Sequence, residues 1–399
     1  MASGRFSDEL MDRMRQRGDD LADPVVADVL ASGRLSAVHD LMHTLVENDG
    51  VPPDGLPPNV ADFLVRTADV DPGALPRIDE GERLFAEHGP EIVLVLLCSS
   101  LPAAYGCRRG VKVLHETAYL ARRPTRRIVE TAQMIIDVMS PGGLGPKGRG
   151  IRSAQKVRLM HAAVRHLLLS DPQRPWNTAD LGIPINQEDL AGTLLTFSAV
   201  VADGLKKLGI DLTHDQEEAY LDAWRAVGRI MGVVPELLPA SMAEGRELMA
   251  VIDRRQTEPS PEGREMMAAL VGDIEQNLPP LFTNFAPALV RHFIPPALAD
   301  GLGVPAHRLE DRIAATVAEH LIELSDKMVD ASARGRAVFR SFSLHLFQWL
   351  MDADRGGKRT KFDLPTNLRA HWRNRRAAMS PACGIRYCTA SSRPGCERR

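Results

Sequence analysis

Apolar residues recur along this chain at intervals of three and four, the period of a helix that buries one face. Over residues 35–47 the pattern is Leu35, Val38, Leu41, Met42 and Leu45, followed by a proline-rich loop at 51–58. Residues 128–139 place Ile128, Ala132, Ile135, Ile136 and Met139 on one side and stop at Ser140-Pro-Gly-Gly, which supplies a helix breaker and residues tolerant of positive φ. Asn186, with Asp189 three positions on, predicts a helix cap before a helical segment that continues from Leu190 to Leu208. Thr213-His-Asp-Gln216 reads as a capping box, with Tyr220, Trp224, Val227 and Met231 behind it at spacings of four, three and four. Two further helices are predicted at 313–328 and 337–351. No run shows sustained alternation with hairpin turns and no internal repeat is visible, so the fold class predicted is all-α.

One stretch carries more than a fold. In Gln155-Lys-Val-Arg158-Leu-Met-His161-Ala-Ala-Val-Arg165-His166, residues Val157, His161, Val164 and Leu168 fall on one apolar stripe. An imidazole on such a face needs a partner for its ring nitrogens. A backbone carbonyl or a water is the common one, and a haem iron is another that suits it. Arg158 and Arg165 lie three back and four on, within reach of carboxylates beside the histidine.

Composition narrows the classes without choosing among them. Hydrophobic residues make up 44% and aromatics 5%, and 49 basic side chains against 52 acidic ones give a formal net charge of -3, which gives no reason to expect a nucleic-acid partner. The longest apolar run, 92–97, is far short of the roughly 20 residues needed to cross a bilayer, so no transmembrane segment is predicted. Charges alternate through the first residues where a signal peptide needs an apolar core, so the expected location is cytoplasmic. Five cysteines, Cys98, Cys107, Cys383, Cys388 and Cys396, are then expected as reduced thiols. The glycine-rich loop 141–150 lacks the preceding strand and closing Gly-Lys-Ser/Thr of a phosphate cradle and reads as a flexible connection. From residue 355 the chain turns basic, with Lys358, Arg359, Lys361, Arg369, Arg373, Arg375 and Arg376, and is expected to be a loosely ordered tail.

Other metal chemistries fit less well. His39 and His43 stand four apart, a spacing zinc accepts, but no third ligand can be named. No histidine has a glutamate three residues before it, as a carboxylate di-iron bundle would require. Hydrolase and dinucleotide signatures are absent.

Four segments in order, Leu101-Pro-Ala-Ala-Tyr105, Arg127-Ile-Val-Glu-Thr131, the His161 stretch and Pro184-Ile-Asn-Gln-Glu-Asp-Leu190, with Trp224 further on, resemble the latex clearing proteins and the wider rubber-oxygenase catalytic-domain family. The resemblance runs from about Phe85 to Pro239. It implies a single helical domain enclosing a b-type haem, with His161 as its proximal ligand and dioxygen as co-substrate. It also places Arg127 and Thr131, four apart on one helix, above the haem, where they would steady bound oxygen. The chain departs from the pattern at Glu130, where some members carry a lysine able to occupy the distal position. Glu116 and Glu130 are candidate acid or base groups, and Arg158 and Arg165 candidate partners of the haem propionates; His115 and His166 read as bystanders.

The domain organisation expected is an N-terminal helical segment, 1–84, packed on a helical haem-binding domain, 85–354, with the basic tail 355–399 behind. The function expected is haem-dependent oxygenation of an apolar small molecule, with a carbon-carbon double bond of an isoprenoid-like or lipid-like chain cleaved to two carbonyls. A polymer particle cannot enter a cell, so a small prenylated or fatty metabolite fits a cytoplasmic enzyme better than rubber. Alternatives from other classes are a helical haem- or lipid-binding protein without turnover, and a haem-free helical interaction protein. The sequence leaves the oligomeric state open.

Overall fold

Several helices in this chain start where the sequence offers a side-chain oxygen, and two are interrupted where it offers a proline or a competing hydroxyl. In the computed structural model, which describes residues 5–117, 124–277 and 285–306, Ser7 accepts from the Leu10 N–H at 3.3 Å and opens α1 (Asp8–Arg15). Asp19 accepts from Leu21 and Ala22 ahead of α2 (Ala22–Ala31). Helices α3 (Leu35–Thr44) and α4 (Pro58–Arg66) flank the predicted proline-rich link. The capping box at Thr213 is formed in both directions and starts α13 (His214–Ile230), and Asn186 starts α11 (Gln187–Phe197) by accepting from Asp189.

Helix α5 (Leu75–Val95) brings the predicted apolar run 92–97 into the core, where every one of those residues is buried. It kinks at His88, φ -114° and ψ 21°, two residues before Pro90, whose ring nitrogen has no proton to donate to the preceding turn. It then widens into a π-type turn, Leu96–Ser100, before α6 (Leu101–Gly106). Pro102 accounts for the widening, because in an unbroken α-helix its ring would press on the Cys98 carbonyl. Helices α7 (Arg108–Glu116), α8 (Pro124–Met139), α9 (Gly150–Leu169) and α10 (Thr178–Leu181) follow. Beyond α11 come α12 (Ala199–Lys207), α13, α14 (Met242–Gln256), α15 (Pro261–Asn277), α16 (Phe285–Phe293) and α17 (Pro296–Gly301). No strand occurs among the described residues, only an isolated bridge between Cys107 and Thr257. The fold is all-α.

Two expectations are corrected. The helix predicted to run from Leu190 to Leu208 breaks at Ser198, φ -112° and ψ -81°, where the side-chain hydroxyl donates to the Leu194 carbonyl at 2.9 Å and competes with the backbone ladder. The loop 141–150 is not a loose connection. The Glu82 carboxylate accepts from Gly142 N–H at 2.6 Å and Leu144 N–H at 3.2 Å, while Asn48 donates to the carbonyls of Gly143 and Gly145 and accepts from Ile151 N–H at the head of α9. Gly148 is required there, since a Cβ would stand 2.2 Å from the carbonyl oxygens of Gly142 and Gly143.

The main apolar core gathers residues of α1, α5 to α9 and α11 to α17. A second cluster joins α2, α3 and α4 to Leu159, Ala162 and Ala163 of α9, and residues such as Phe63 and Leu64 each contribute about 1.5–3 kcal/mol by burial there. The boundary expected after residue 84 falls inside α5, and Met11 and Met14 already belong to the main core. The N-terminal segment is thus built into the same structure. No single helix among the described residues is long and apolar enough to cross a membrane; one pair, Pro72–Gly89 with Glu91–Gly106, passes that test only when taken together and is bent by 82°. The helices expected at 313–328 and 337–351, the tail from 355 and Cys383, Cys388 and Cys396 lie outside the described residues.

Candidate active site

Helix α9 turns two different faces to the protein. One carries Val157, Met160, His161 and Val164 to the wall of an internal cavity of about 310 Å³. Three of the four residues of the predicted stripe are there; Leu168, one turn further, is buried outside the lining. Helix α8 adds Ile128, Glu130, Thr131 and Ile135, and the π-type turn adds Leu96, Leu97 and Ser100. Helix α13 closes another side with Trp224, Val227 and Met231, and Phe197 of α11 stacks on Trp224 with ring centroids 5.0 Å apart. Hydrocarbon dominates these walls, and a pocket of this kind with a few placed polar groups is what binds a small apolar molecule.

The second face of α9 is a set of closed polar contacts. Arg158 donates to both Asp19 carboxylate oxygens, at 2.6 and 2.8 Å, and to the Ile230 carbonyl at 3.0 Å. Burial alone would push the Asp19 carboxyl up, but the Arg158 guanidinium bonded to it holds it below the usual carboxylate range. Arg165 pairs with Asp23 and donates to the carbonyls of Pro184 at 3.0 Å and Ile185 at 2.8 Å. The Ile185 backbone has φ 52°, a region that costs a β-branched residue about 1–3 kcal/mol, so Arg165 clamps a strained turn just before α11. Gln155 donates to the Leu64 carbonyl and to Thr67 Oγ1 at 2.8 and 2.9 Å.

The predicted site residues therefore separate. His161, Glu130 and Thr131 line one cavity. Arg127 lies on α8 with them, its side chain outside the described part. Arg158 and Arg165 do not line the cavity; their guanidiniums are committed to Asp19, Asp23 and carbonyls, which corrects the expectation that they face a cofactor carboxylate. Glu116 is corrected likewise: it accepts from Arg174 at 3.0 Å, stands 3.6 Å from Lys112 Nζ, and does not line the cavity. His115 bonds Glu265 at 2.7 Å, and His166 is not in the lining. His39 and His43 share a hydrogen bond of 3.0 Å between their Nε2 atoms.

Sequence reasoning missed the polar end of the cavity. Glu188, fully buried, accepts from Arg255 Nε at 2.9 Å and from Arg15 at 3.3 Å. Asp189 accepts from the same Arg15 at 3.2 Å and from Asn186 Nδ2 at 2.9 Å. Gln256, at the last position of α14, joins them in the lining. The Asn186 cap was the available signal for the two carboxylates. Nothing local marks Gln256.

A haem b asks for one axial protein ligand, an apolar slot and cations for its propionates. Among the described residues no group of three or more His, Cys, Asp or Glu is arranged to hold a metal ion, so a metal here would rest on a single imidazole and bring its own remaining ligands, as a porphyrin does. His161 and the hydrocarbon walls meet the first two needs. The propionate partners stay unassigned, since Arg158 and Arg165 are engaged elsewhere.

The chain is 26% identical over 350 residues to a rubber oxygenase of Streptomyces sp. (strain K30), covering 87% of this chain and 85% of that protein. It shares its fold with a solved structure of latex clearing protein in the closed state, TM-score 0.74 at 24% identity, over 84% of this chain and 91% of the other. Residues 88–324, which hold the His161 helix and every residue of the cavity lining but Phe85, match the family model described as "ER-bound oxygenase mpaB/B'/Rubber oxygenase, catalytic domain", and the chain belongs to that oxygenase family.

Proposed function

We propose that this protein is a haem-b-dependent oxygenase that cleaves a carbon-carbon double bond in an apolar, isoprenoid-like or lipid-like molecule. The observation that carries the reading is the His161 imidazole set in the wall of an otherwise hydrocarbon cavity, with Thr131 and Glu130 in the same lining, in a member of an oxygenase family. When bound, the haem supplies the activation of dioxygen; both oxygen atoms enter the alkene, which leaves as two carbonyls.

The chain's own residues do the rest. His161 holds the cofactor from α9, and the α9 framework is fixed from behind by Arg158 on Asp19. Thr131 offers a hydroxyl that donates to a polar group in the cavity. Glu130 offers a carboxyl that accepts or returns a proton at its Oε atoms, in the position where some relatives carry a lysine. The leucines, the methionines and the Phe197–Trp224 pair exclude water and orient a hydrocarbon chain.

The test is the ultraviolet-visible spectrum of the chain expressed with a haem precursor, beside His161→Ala. A Soret band in the parent that shifts or disappears in the variant is the expected result, and oxygen uptake with an isoprenoid alkene, yielding two carbonyl products, completes it. A folded, haem-supplied parent with no Soret band would overturn the reading and favour a haem-free helical binding protein.

A further inference from the structure

Among the described residues of the lining is an amide whose donor and acceptor ends are both unspent. Gln256 is 3% exposed, lines the cavity, and neither its Nε2 nor its Oε1 has a partner among the described residues. Leaving both ends of a buried amide unmade is costly, and native interiors rarely do it without a ligand or water to complete the set.

Its surroundings decide what would complete it. The residues on either side are fastened: Arg255 donates to Glu188, Asp8 and Asp12, and Thr257 bridges Cys107. The root of the amide is therefore held in place before any ligand arrives. The two carboxylates in the same lining, Glu188 and Asp189, are already matched by Arg15, Arg255 and Asn186. Among the described residues of the lining there is no arginine or lysine to attract an anionic headgroup, and the two carboxylates disfavour one. What remains is a neutral amide offering one donor edge and one acceptor edge at the border of a hydrocarbon cavity. The smallest neutral group that answers both edges is a hydroxyl.

We infer that Gln256 is a specificity residue that receives the terminal hydroxyl of an apolar chain, so that the molecule taken up is a long-chain alcohol and not a bare hydrocarbon. This rests on the reading of the cavity as a substrate site and names the substrate class for it. Gln256 positions the chain by its end, leaving the hydrocarbon to run along the walls on which His161 and Thr131 stand.

The experiment is a titration of the full-length protein with farnesol, its methyl ether and farnesene, followed by tryptophan fluorescence, Trp224 being in the lining. The Soret spectrum of the same preparation reports separately on the haem reading, so the two can fail independently. The parent is expected to bind farnesol at least about tenfold more tightly than farnesene, because a site built to bond a hydroxyl rejects the analogue lacking it, with the ether, an acceptor only, between them. Gln256→Leu is expected to erase that order by weakening farnesol while leaving farnesene unchanged or tighter. Equal affinities of the three compounds in the parent would overturn the inference and assign the amide to a bound water. So would an unchanged farnesol preference in Gln256→Leu. The ligand series on the parent stands by itself should the variant fold poorly.

Discussion

The two faces of α9 bury the same kinds of residue to opposite ends. Toward the N-terminal helices it sends Gln155, Arg158 and Arg165, and each finds partners inside the chain at ordinary hydrogen-bond distances. Toward the cavity it sends His161 between valines and a methionine. A guanidinium cannot shed its proton in a protein, so its burial demands a fixed counter-charge, and Asp19 and Asp23 supply it. An imidazole can be buried neutral and can take a metal. The difference teaches that polarity on a buried helix face is not by itself a mark of function; lining a cavity is what sets the His161 face apart.

The sharpest way to break this contrast is to remove one group from each face. Arg158→Ala strands Asp19 at a site where both side chains are under one-tenth exposed, and the expected loss is about 3–5 kcal/mol of unfolding free energy. His161→Ala is expected to leave the urea midpoint near the parent's while abolishing or shifting the Soret band. Parallel urea melts and spectra of the two variants decide it. An Arg158→Ala protein as stable as the parent but lacking the Soret band would return that arginine to the cofactor.

A carboxylate held by amides instead of a guanidinium gives the next effect. Burial pushes the Glu82 carboxyl up to about 7, and the Leu144 and Gly142 N–H groups offset this only in part. With the folded value above the unfolded one, near 4.5, the contribution of Glu82 is fully present below about 4.5 and is lost as pH rises to about 7. The loss expected across that window is on the order of 3 kcal/mol. It reads out as the difference in unfolding free energy between the parent and Glu82→Gln, measured at several pH values. A constant difference would mean that the Glu82 carboxyl titrates at the same pH in the folded and unfolded chain. Asp19, whose folded value is lowered, works in the opposite sense and weakens the protein only on the acid side.

These residues also show how far the sequence could be read. Helix periodicity found α8, α9 and α13, and local capping chemistry found Asn186 and Thr213, because both signals are spelled within a few positions of one another. The break at Ser198 was not legible, since a serine in a helix competes with the backbone only in some settings. The order of loop 141–150 depends on Asn48 and Glu82, about 95 and 60 residues away in sequence. That His161, Thr131 and Glu130 would stand near one another was legible, the histidine from its place on an apolar stripe and the other two through the family pattern, and the three share one cavity lining. Arg158 and Arg165 were misread because spacing along one helix says which residues share a side and nothing of the segment packed against it. Gln256 was invisible, since a lone glutamine closing a helix carries no local signal.

The smallest expected effects compare two caps of similar chemistry in different places. Thr213 accepts from Gln216 N–H at 3.3 Å at an exposed helix start, and Asn186 accepts from Asp189 N–H at 3.0 Å at a buried one. Loss of either cap to alanine is expected to cost about 1 kcal/mol, with Asn186 toward 2 because its amide also donates to Ile183 and to the Asp189 side chain. Helix α11 begins at Asn186 and carries Glu188 and Asp189 into the cavity lining beside Gln256, whereas no residue of the Thr213 box lines it. Asn186→Ala is therefore expected to lower both stability and farnesol affinity, and Thr213→Ala stability alone, in paired urea melts and fluorescence titrations. If Thr213→Ala weakened farnesol binding as much as Asn186→Ala, the cavity would be responding to the stability of the whole fold, and the separation of an anchoring face from a ligand-facing one would not hold.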